Sequence, residues 1–108
     1  MKITPLTPEF SVSPQIRPED VAEIAAAGYR AILCNRPDGE DAGQPDYATI
    51  AAAAEAAGLE MLHVPVVSGA ITQGDVEDFR AAVADLPTPL LAYCRSGTRC
   101  ANLWDMAR

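Results

Sequence analysis

The chain has few of the residues that build metal sites, disulfide frameworks and membrane spans. Its 108 residues include three cysteines and one histidine, His63. They are too few and too widely spaced for a metal-ligand pattern or a disulfide network. No apolar run approaches the ~18 residues of a membrane-spanning helix, and no apolar segment of a signal peptide follows residues 1–5. We therefore expect a cytoplasmic protein with no metal, no cofactor and no membrane partner.

Basic residues are also scarce. Eight Lys and Arg face 15 Asp and Glu, which gives a net charge of −7. Such a surface repels nucleic acid, so we expect no nucleic-acid partner. Residues 89–108 reverse this balance, because three arginines there face a single acid, Asp105. Positive charge concentrated in one stretch of an acidic chain predicts a small anionic substrate.

Apolar periodicity predicts one α/β domain over residues 1–108. We expect strands at 10–15, near a sheet edge, and at 31–34, 59–64 and 89–93, and helices beginning at Pro18, Pro45, Thr72 and Cys100. Strands that alternate with helices form a mainly parallel sheet flanked by helices. Ligands of such sheets bind outside the carboxyl ends of the strands. Cys94 and the loop 35–40 both follow predicted strands, so the active site is expected there.

The stretch from Cys94 to Arg99 has the composition of an anion-binding loop. A strand that enters a helix through a glycine turn lets backbone N–H groups converge, and these groups favour negative charge. The same field stabilises a thiolate, so Cys94 is the predicted nucleophile. A guanidinium grips an oxyanion with two hydrogen bonds, so Arg99 is predicted to act in catalysis. The other predicted substrate-binding residues are Arg95, Ser96, Gly97 and Thr98.

These residues resemble the active loops of two families. The loop of rhodaneses is similar, with four residues between the cysteine and the last arginine. Cysteine phosphatases of the dual-specificity kind usually have five, and in that register Cys100 takes the arginine's place. Segments 28–40 and 63–66 resemble strands and loops of the phosphatases. Overall the chain resembles the phosphatase-like domain of the β-lactamase hydrolase-like family, which implies a cysteine-phosphatase-like fold and a persulfide dioxygenase partner.

Two reactions share attack by the Cys94 thiolate as their first step. A phosphatase also needs an acid to protonate an alkoxide leaving group, and residues 66–70 contain no carboxylate. Asp75, the next one, has the spacing of a helix capping box with Thr72. Thiosulfate needs no such acid, because its sulfite leaving group is already a stable anion. The sequence therefore predicts a rhodanese-like sulfurtransferase that passes sulfur through a Cys94 persulfide to a thiol or cyanide.

Two alternatives remain open at this point. One is a dual-specificity-like phosphatase with a phosphocysteine intermediate, and the other is a non-catalytic redox or persulfide-sensing module. Arg36 is a further candidate for substrate binding, although it can equally pair with acidic residues of its own loop. Cys34 and Cys100 are candidate resolving thiols for an oxidised Cys94, and buried structural cysteine is the alternative for Cys34.

Overall fold

One five-stranded sheet organises the chain. The computed structural model describes residues 1–108. The strands are β1 (Thr4–Thr7), β2 (Phe10–Ser13), β3 (Ala31–Cys34), β4 (Glu60–His63) and β5 (Leu90–Tyr93). The helices are α1 (Val21–Ala26, preceded by a 3-10 turn at Pro18–Asp20), α2 (Tyr47–Ala56), α3 (Gln73–Asp85) and α4 (Thr98–Ala107). None of the helices is both long and apolar enough to cross a membrane.

The strands are ordered β1-β2-β5-β3-β4 across the sheet. Strands β2, β5, β3 and β4 are parallel, and only β1 runs antiparallel to its neighbour. Strand β5 is central, so the residue after it, Cys94, lies in the middle of the carboxyl edge. The predicted mainly parallel α/β sheet is confirmed, and the loop after β3 lies beside Cys94 as expected.

Helices cover both faces of the sheet. Alternate residues of a strand point to opposite faces. Leu90 and Ala92 of β5 therefore pack toward α3 and α4, and Leu91 and Tyr93 toward α1 and α2. Every residue of β2, β3 and β5 is buried, as expected for parallel strands covered on both sides. Cys94 belongs to the α3–α4 side of the core.

The sheet edge differs from the prediction. The strand that begins at Phe10 lies near an edge as expected, but it is not the first strand, because the unpredicted strand β1 precedes it and forms the edge itself. Three of the four β1 residues are exposed, so no apolar face shows in the sequence. Pro5 also argues against a strand in the sequence, although proline is tolerated at a sheet edge, where one side needs no hydrogen bonds.

Helix α4 begins at Thr98, two residues before the predicted start at Cys100. Gly97 has a φ of 93°, and this left-handed residue turns the chain directly into the helix. Arg99 is consequently a first-turn residue of α4 rather than part of the loop. The predicted capping box of α3 is confirmed, because Thr72 N donates to Asp75 Oδ2 at 2.9 Å and Asp75 N donates to Thr72 Oγ1 at 3.1 Å.

Candidate active site

Cys94 begins a short turn that is tied to strand β2. Its N–H donates to Ser13 O at 3.4 Å, and the next carbonyl, of Arg95, accepts from Gln15 N at 3.2 Å. Gly97 closes the turn and donates its N–H to Cys94 Sγ at 3.1 Å. A Cβ at Gly97 would lie 3.4 Å from the carbonyl of Ser13. That distance is an ordinary van der Waals contact, so the positive φ is what favours glycine at this position.

The environment of Cys94 favours its thiolate. A hydrogen bond from the Cys100 side chain is the largest influence that lowers the pKa of Cys94, to about 5. Backbone N–H groups of Cys100, Gly97 and Ser96 act in the same direction, while burial opposes them. Burial raises the pKa of Cys100 well above its ordinary value. Cys100 therefore stays protonated, and its S–H group favours the thiolate form of Cys94.

Cys34 has a different environment. It lies in the α1–α2 side of the core, across the sheet from Cys94, and its Sγ donates to Arg36 O at 3.3 Å. Burial raises its pKa. These features fit a buried structural cysteine and give no support to a resolving role. Cys100 is the cysteine that the fold places against Cys94.

Arg99 is held by a carboxylate that sequence analysis did not assign to the site. Its Nη1 and Nη2 donate to Glu40 Oε2 and Oε1, both at 2.8 Å, and Nη1 also donates to Val66 O at 2.9 Å. The hydrogen bonds from Arg99 are the main reason that the pKa of Glu40 falls to about 2. Glu40 and Arg99 are therefore both ionised at neutral pH.

Arg36 lies behind Glu40. It is 3% exposed and donates to Glu40 Oε1 at 2.9 Å, to Asp41 Oδ2 at 2.8 Å and to Gln15 Oε1 at 3.0 Å. These acceptors occupy every nitrogen of its guanidinium. The expected contact between Arg36 and an anionic substrate therefore has no support in the geometry, and its pairing with the acidic loop is the alternative that the structure shows.

A cleft of about 400 Å³ opens above the loop. It contains Arg95 and Arg99 and a single acidic residue, Glu40, and Asp75 is not on its border. A larger hollow of about 520 Å³ lies at the amino ends of the strands, but it contains no charged side chain, so the smaller cleft is the candidate active site. The residues that border the cleft are Glu40, Ser68, Gly69, Ile71, Arg95, Ser96, Thr98, Arg99 and Asn102.

Two further properties limit what the site can do. No group of three His, Cys, Asp or Glu side chains is placed to hold a metal ion. Cys94 has no exposed surface, so its sulfur lies beneath the loop rather than on the cleft wall. A reacting group therefore reaches the sulfur only when the side chains of the loop move aside.

We expect alkylation to distinguish Cys94 from the other cysteines. Its rate with iodoacetamide, followed by peptide mass spectrometry across pH, should rise with a midpoint near 5, the pKa that its hydrogen bonds produce. Cys34 and Cys100 should label only at much higher pH. All three residues are at most 2% exposed, so the other two control for access. Equal midpoints for the three thiols would contradict the assignment of Cys94 as a thiolate.

The fold and the site together define a class of protein. A cysteine that follows the central strand of a parallel sheet, with an arginine in the next helix, is the arrangement of cysteine-phosphatase-like domains. Over residues 2–108 the chain matches the family described as beta-lactamase hydrolase-like protein, phosphatase-like domain, and it belongs to that family. The expected family and fold are confirmed.

Curated relatives share the sequence over almost the whole chain. Beta-lactamase hydrolase-like proteins of Xylella fastidiosa strain Temecula1 and Agrobacterium fabrum are 36% and 33% identical to it, over 107 and 104 residues. These matches cover 99% and 96% of the chain but 25% and 24% of the relatives. The chain thus spans about a quarter of the length of the curated relatives that it matches.

Solved structures share its fold. A Neisseria meningitidis protein named a "putative phosphatase" is 44% identical, with a TM-score of 0.89, over 96% of this chain and 74% of that one. The core catalytic domain of the PP-IP phosphatase SIW14 from S. cerevisiae has a TM-score of 0.71 over 98% of this chain and 73% of its own. At 15% identity the second comparison shows the fold alone.

The predicted sulfurtransferase activity is wrong, because the family and the structural relatives are phosphatase-like. The prediction rested on the number of residues between Cys94 and Arg99 and on the absence of a carboxylate at residues 66–70. In the structure α4 begins at Thr98, so Arg99 reaches the cleft from a helix even though the loop is one residue short. The spacing therefore does not distinguish the two reactions.

Proposed function

We propose that the chain is a cysteine-dependent phosphatase that acts on a small phosphate ester or anhydride. The Cys94 thiolate attacks phosphorus, an S–P bond forms as the bond to the leaving oxygen breaks, and that oxygen departs with the electron pair. Water then attacks the phosphocysteine, which releases inorganic phosphate and restores the thiolate. The net reaction adds one water to the substrate and consumes no cofactor.

The main support is the ionised sulfur of Cys94, which lies beneath a loop whose two arginines border the cleft. A thiol with a pKa of about 5 is almost wholly thiolate at neutral pH, so no base is needed to activate it. Arg99 borders the cleft above it, and Arg95, with a side chain 70% exposed, stands at the rim. Fixed positive charge of this kind stabilises the phosphoryl oxygens as the transition state forms.

The remaining predicted residues have distinct places in this proposal. Ser96 and Thr98 border the cleft, where their hydroxyl groups join each other by a 3.0 Å hydrogen bond. The N–H group of Gly97 donates a hydrogen bond to the sulfur of Cys94. Arg36 supports the acidic loop and does not contact substrate. A persulfide dioxygenase partner stays a prediction from the family resemblance.

Two variants test the proposal. We expect Cys94→Ser to abolish hydrolysis of 4-nitrophenyl phosphate, and Cys34→Ala to retain most of it, because only Cys94 belongs to the loop that borders the cleft. Rapid quenching of the wild-type reaction should trap one phosphoryl group on the protein. Mass spectrometry should locate this group on the peptide that contains Cys94. Turnover that survives in Cys94→Ser, or the absence of any phosphoryl adduct together with no hydrolysis, would overturn the proposal.

A further inference from the structure

Arg95 is the cation at the cleft whose charge is not neutralised by a hydrogen-bonded carboxylate. Arg99, the other arginine at the border, pairs with both oxygens of Glu40 at 2.8 Å. The side chain of Arg95 is 70% exposed, and its Nε lies 3.7 Å from Asp41 Oδ2, which is beyond hydrogen-bond distance. That oxygen already accepts a 2.8 Å hydrogen bond from Arg36. The guanidinium of Arg95 therefore keeps its donors free at the border of the cleft.

The cleft has room and polar groups for more than the phosphoryl group that reacts. Its volume is about 400 Å³, and its border has a single apolar side chain, Ile71, among polar and charged residues such as Ser68 and Asn102. Arg95 follows the nucleophile Cys94 directly, with about 3.8 Å between their Cα atoms. A leaving group bonded to the reacting phosphorus therefore enters a polar space beside a free arginine, which favours an anionic group over an apolar one.

The carboxylates restrict the leaving group further. Glu40, the acidic residue at the border of the cleft, has a pKa of about 2. Asp75 is held by the backbone of Thr72 and does not border the cleft. Because no acid is placed to protonate it, the leaving oxygen must depart as a stable anion. The phosphate released from a phosphoanhydride is such an anion, and a single bridging oxygen joins it to the phosphorus that reacts.

We propose that the substrate is a phosphoanhydride, and that Arg95 binds its leaving phosphate while Cys94 attacks the terminal phosphorus. An S–P bond forms as the bond from phosphorus to the bridging oxygen breaks, and this oxygen leaves with the electron pair as part of the second phosphate. Arg95 stabilises the negative charge that grows on that phosphate. Water then hydrolyses the phosphocysteine. This inference rests on the phosphatase activity proposed above and narrows its substrate class.

The change Arg95→Gln tests this role with two substrates, methyl diphosphate and 4-nitrophenyl phosphate. Both leaving groups depart without a proton, but only the first contains a phosphate for Arg95 to bind. We expect kcat/KM for methyl diphosphate to fall about tenfold or more beyond any loss for 4-nitrophenyl phosphate, because a hydrogen bond between charged groups is lost. In the wild type the two values should be similar, since Arg95 offsets the repulsion between the second phosphate and a chain of net charge −7.

Arg17→Gln is the matched control. The side chain of Arg17 is also largely exposed, at 60%, and its Nε lies 3.8 Å from Glu19 Oε2, but it does not border the cleft. This variant removes the same charge and should leave the ratio of the two kcat/KM values unchanged. An equal loss for both substrates in Arg95→Gln would overturn the proposal. A ratio that falls as far in Arg17→Gln would also overturn it, because net charge alone would then explain the effect.

Binding to Cys94→Ser provides a readout without turnover. By calorimetry, methylenediphosphonate should bind about tenfold or more tightly than inorganic phosphate, and adding Arg95→Gln should remove this preference. Equal affinities for the two ligands would contradict the role of Arg95 even if the wild type hydrolyses phosphate esters. Arg95-dependent binding of the diphosphonate by a protein that hydrolyses neither esters nor anhydrides would support the second anion site and contradict the proposed phosphatase activity instead.

Discussion

Replacing Arg99 by lysine is expected to lower kcat/KM for 4-nitrophenyl phosphate on the order of a hundredfold or more. Lysine retains the charge but offers one nitrogen, which cannot pair with Glu40 at two oxygens and also present two donors to a phosphate. Removal of such a transition-state contact costs about 3 kcal/mol. Steady-state kinetics of the variant, at a pH well above the pKa of Cys94, measures the effect.

The control for this variant is Arg80→Lys in helix α3. Arg80 also donates through its guanidinium, from Nε to Ala107 O at 3.0 Å, but it lies outside the cleft. It should keep wild-type activity, and thermal unfolding should show that both variants are folded. If Arg99→Lys keeps more than a third of the activity, the planar edge of Arg99 is not used and the site has been misassigned.

Local patterns were sufficient to predict most of the fold. Buried strands such as Ala31–Cys34 are short apolar runs, and helix α3 begins at a Thr72–Asp75 capping box that sequence alone shows. Strand β1 has neither signal, because an exposed edge strand buries no face. Its place in the sheet depends on pairing with β2, and this pairing becomes visible only in three dimensions.

The sequence predicted only part of the candidate site. The part that it did not predict is a contact between residues far apart in the chain. Cys94 and the residues around it are contiguous, so composition identified them. Glu40 lies 59 residues before Arg99, and no periodicity relates the two. The prediction could place the 35–40 loop at the same sheet edge as Cys94. The sequence pattern could not determine which acidic residue of that loop pairs with Arg99.

The choice of reaction failed for a similar reason. Counting residues between Cys94 and Arg99 assumes that both belong to one loop of fixed shape. The left-handed Gly97 ends that loop early and starts α4 at Thr98, so the helix determines the direction of Arg99. The absence of a general acid after β4 did not decide the reaction either, because an aryl ester or a phosphoanhydride has a leaving group that departs without a proton.

The carboxylates near the site predict a steep dependence on the leaving group. Glu40 has a pKa of about 2, held down chiefly by Arg99, so above pH 4 it has no proton to donate. Asp75 is bound to the backbone of Thr72 in the helix cap and lies outside the cleft. A positioned general acid contributes roughly 10²- to 10⁴-fold to the departure of a poor leaving group. We therefore expect kcat/KM for 4-nitrophenyl phosphate to exceed that for a simple alkyl phosphate by a hundredfold or more.

A series of phosphate esters with leaving groups of increasing pKa measures this dependence, with release of inorganic phosphate as a common readout. Phosphoanhydrides should have kcat/KM values similar to those of the aryl esters, because their phosphate leaving group also departs without a proton. In Asp75→Asn the whole series should be unchanged, since the substitution affects only a helix-start charge worth about 0.3–1 kcal/mol of stability. Alkyl phosphates that turn over as fast as aryl phosphates, and lose that rate in Asp75→Asn, would make Asp75 the general acid. That result would require α3 to move Asp75 into the cleft during catalysis.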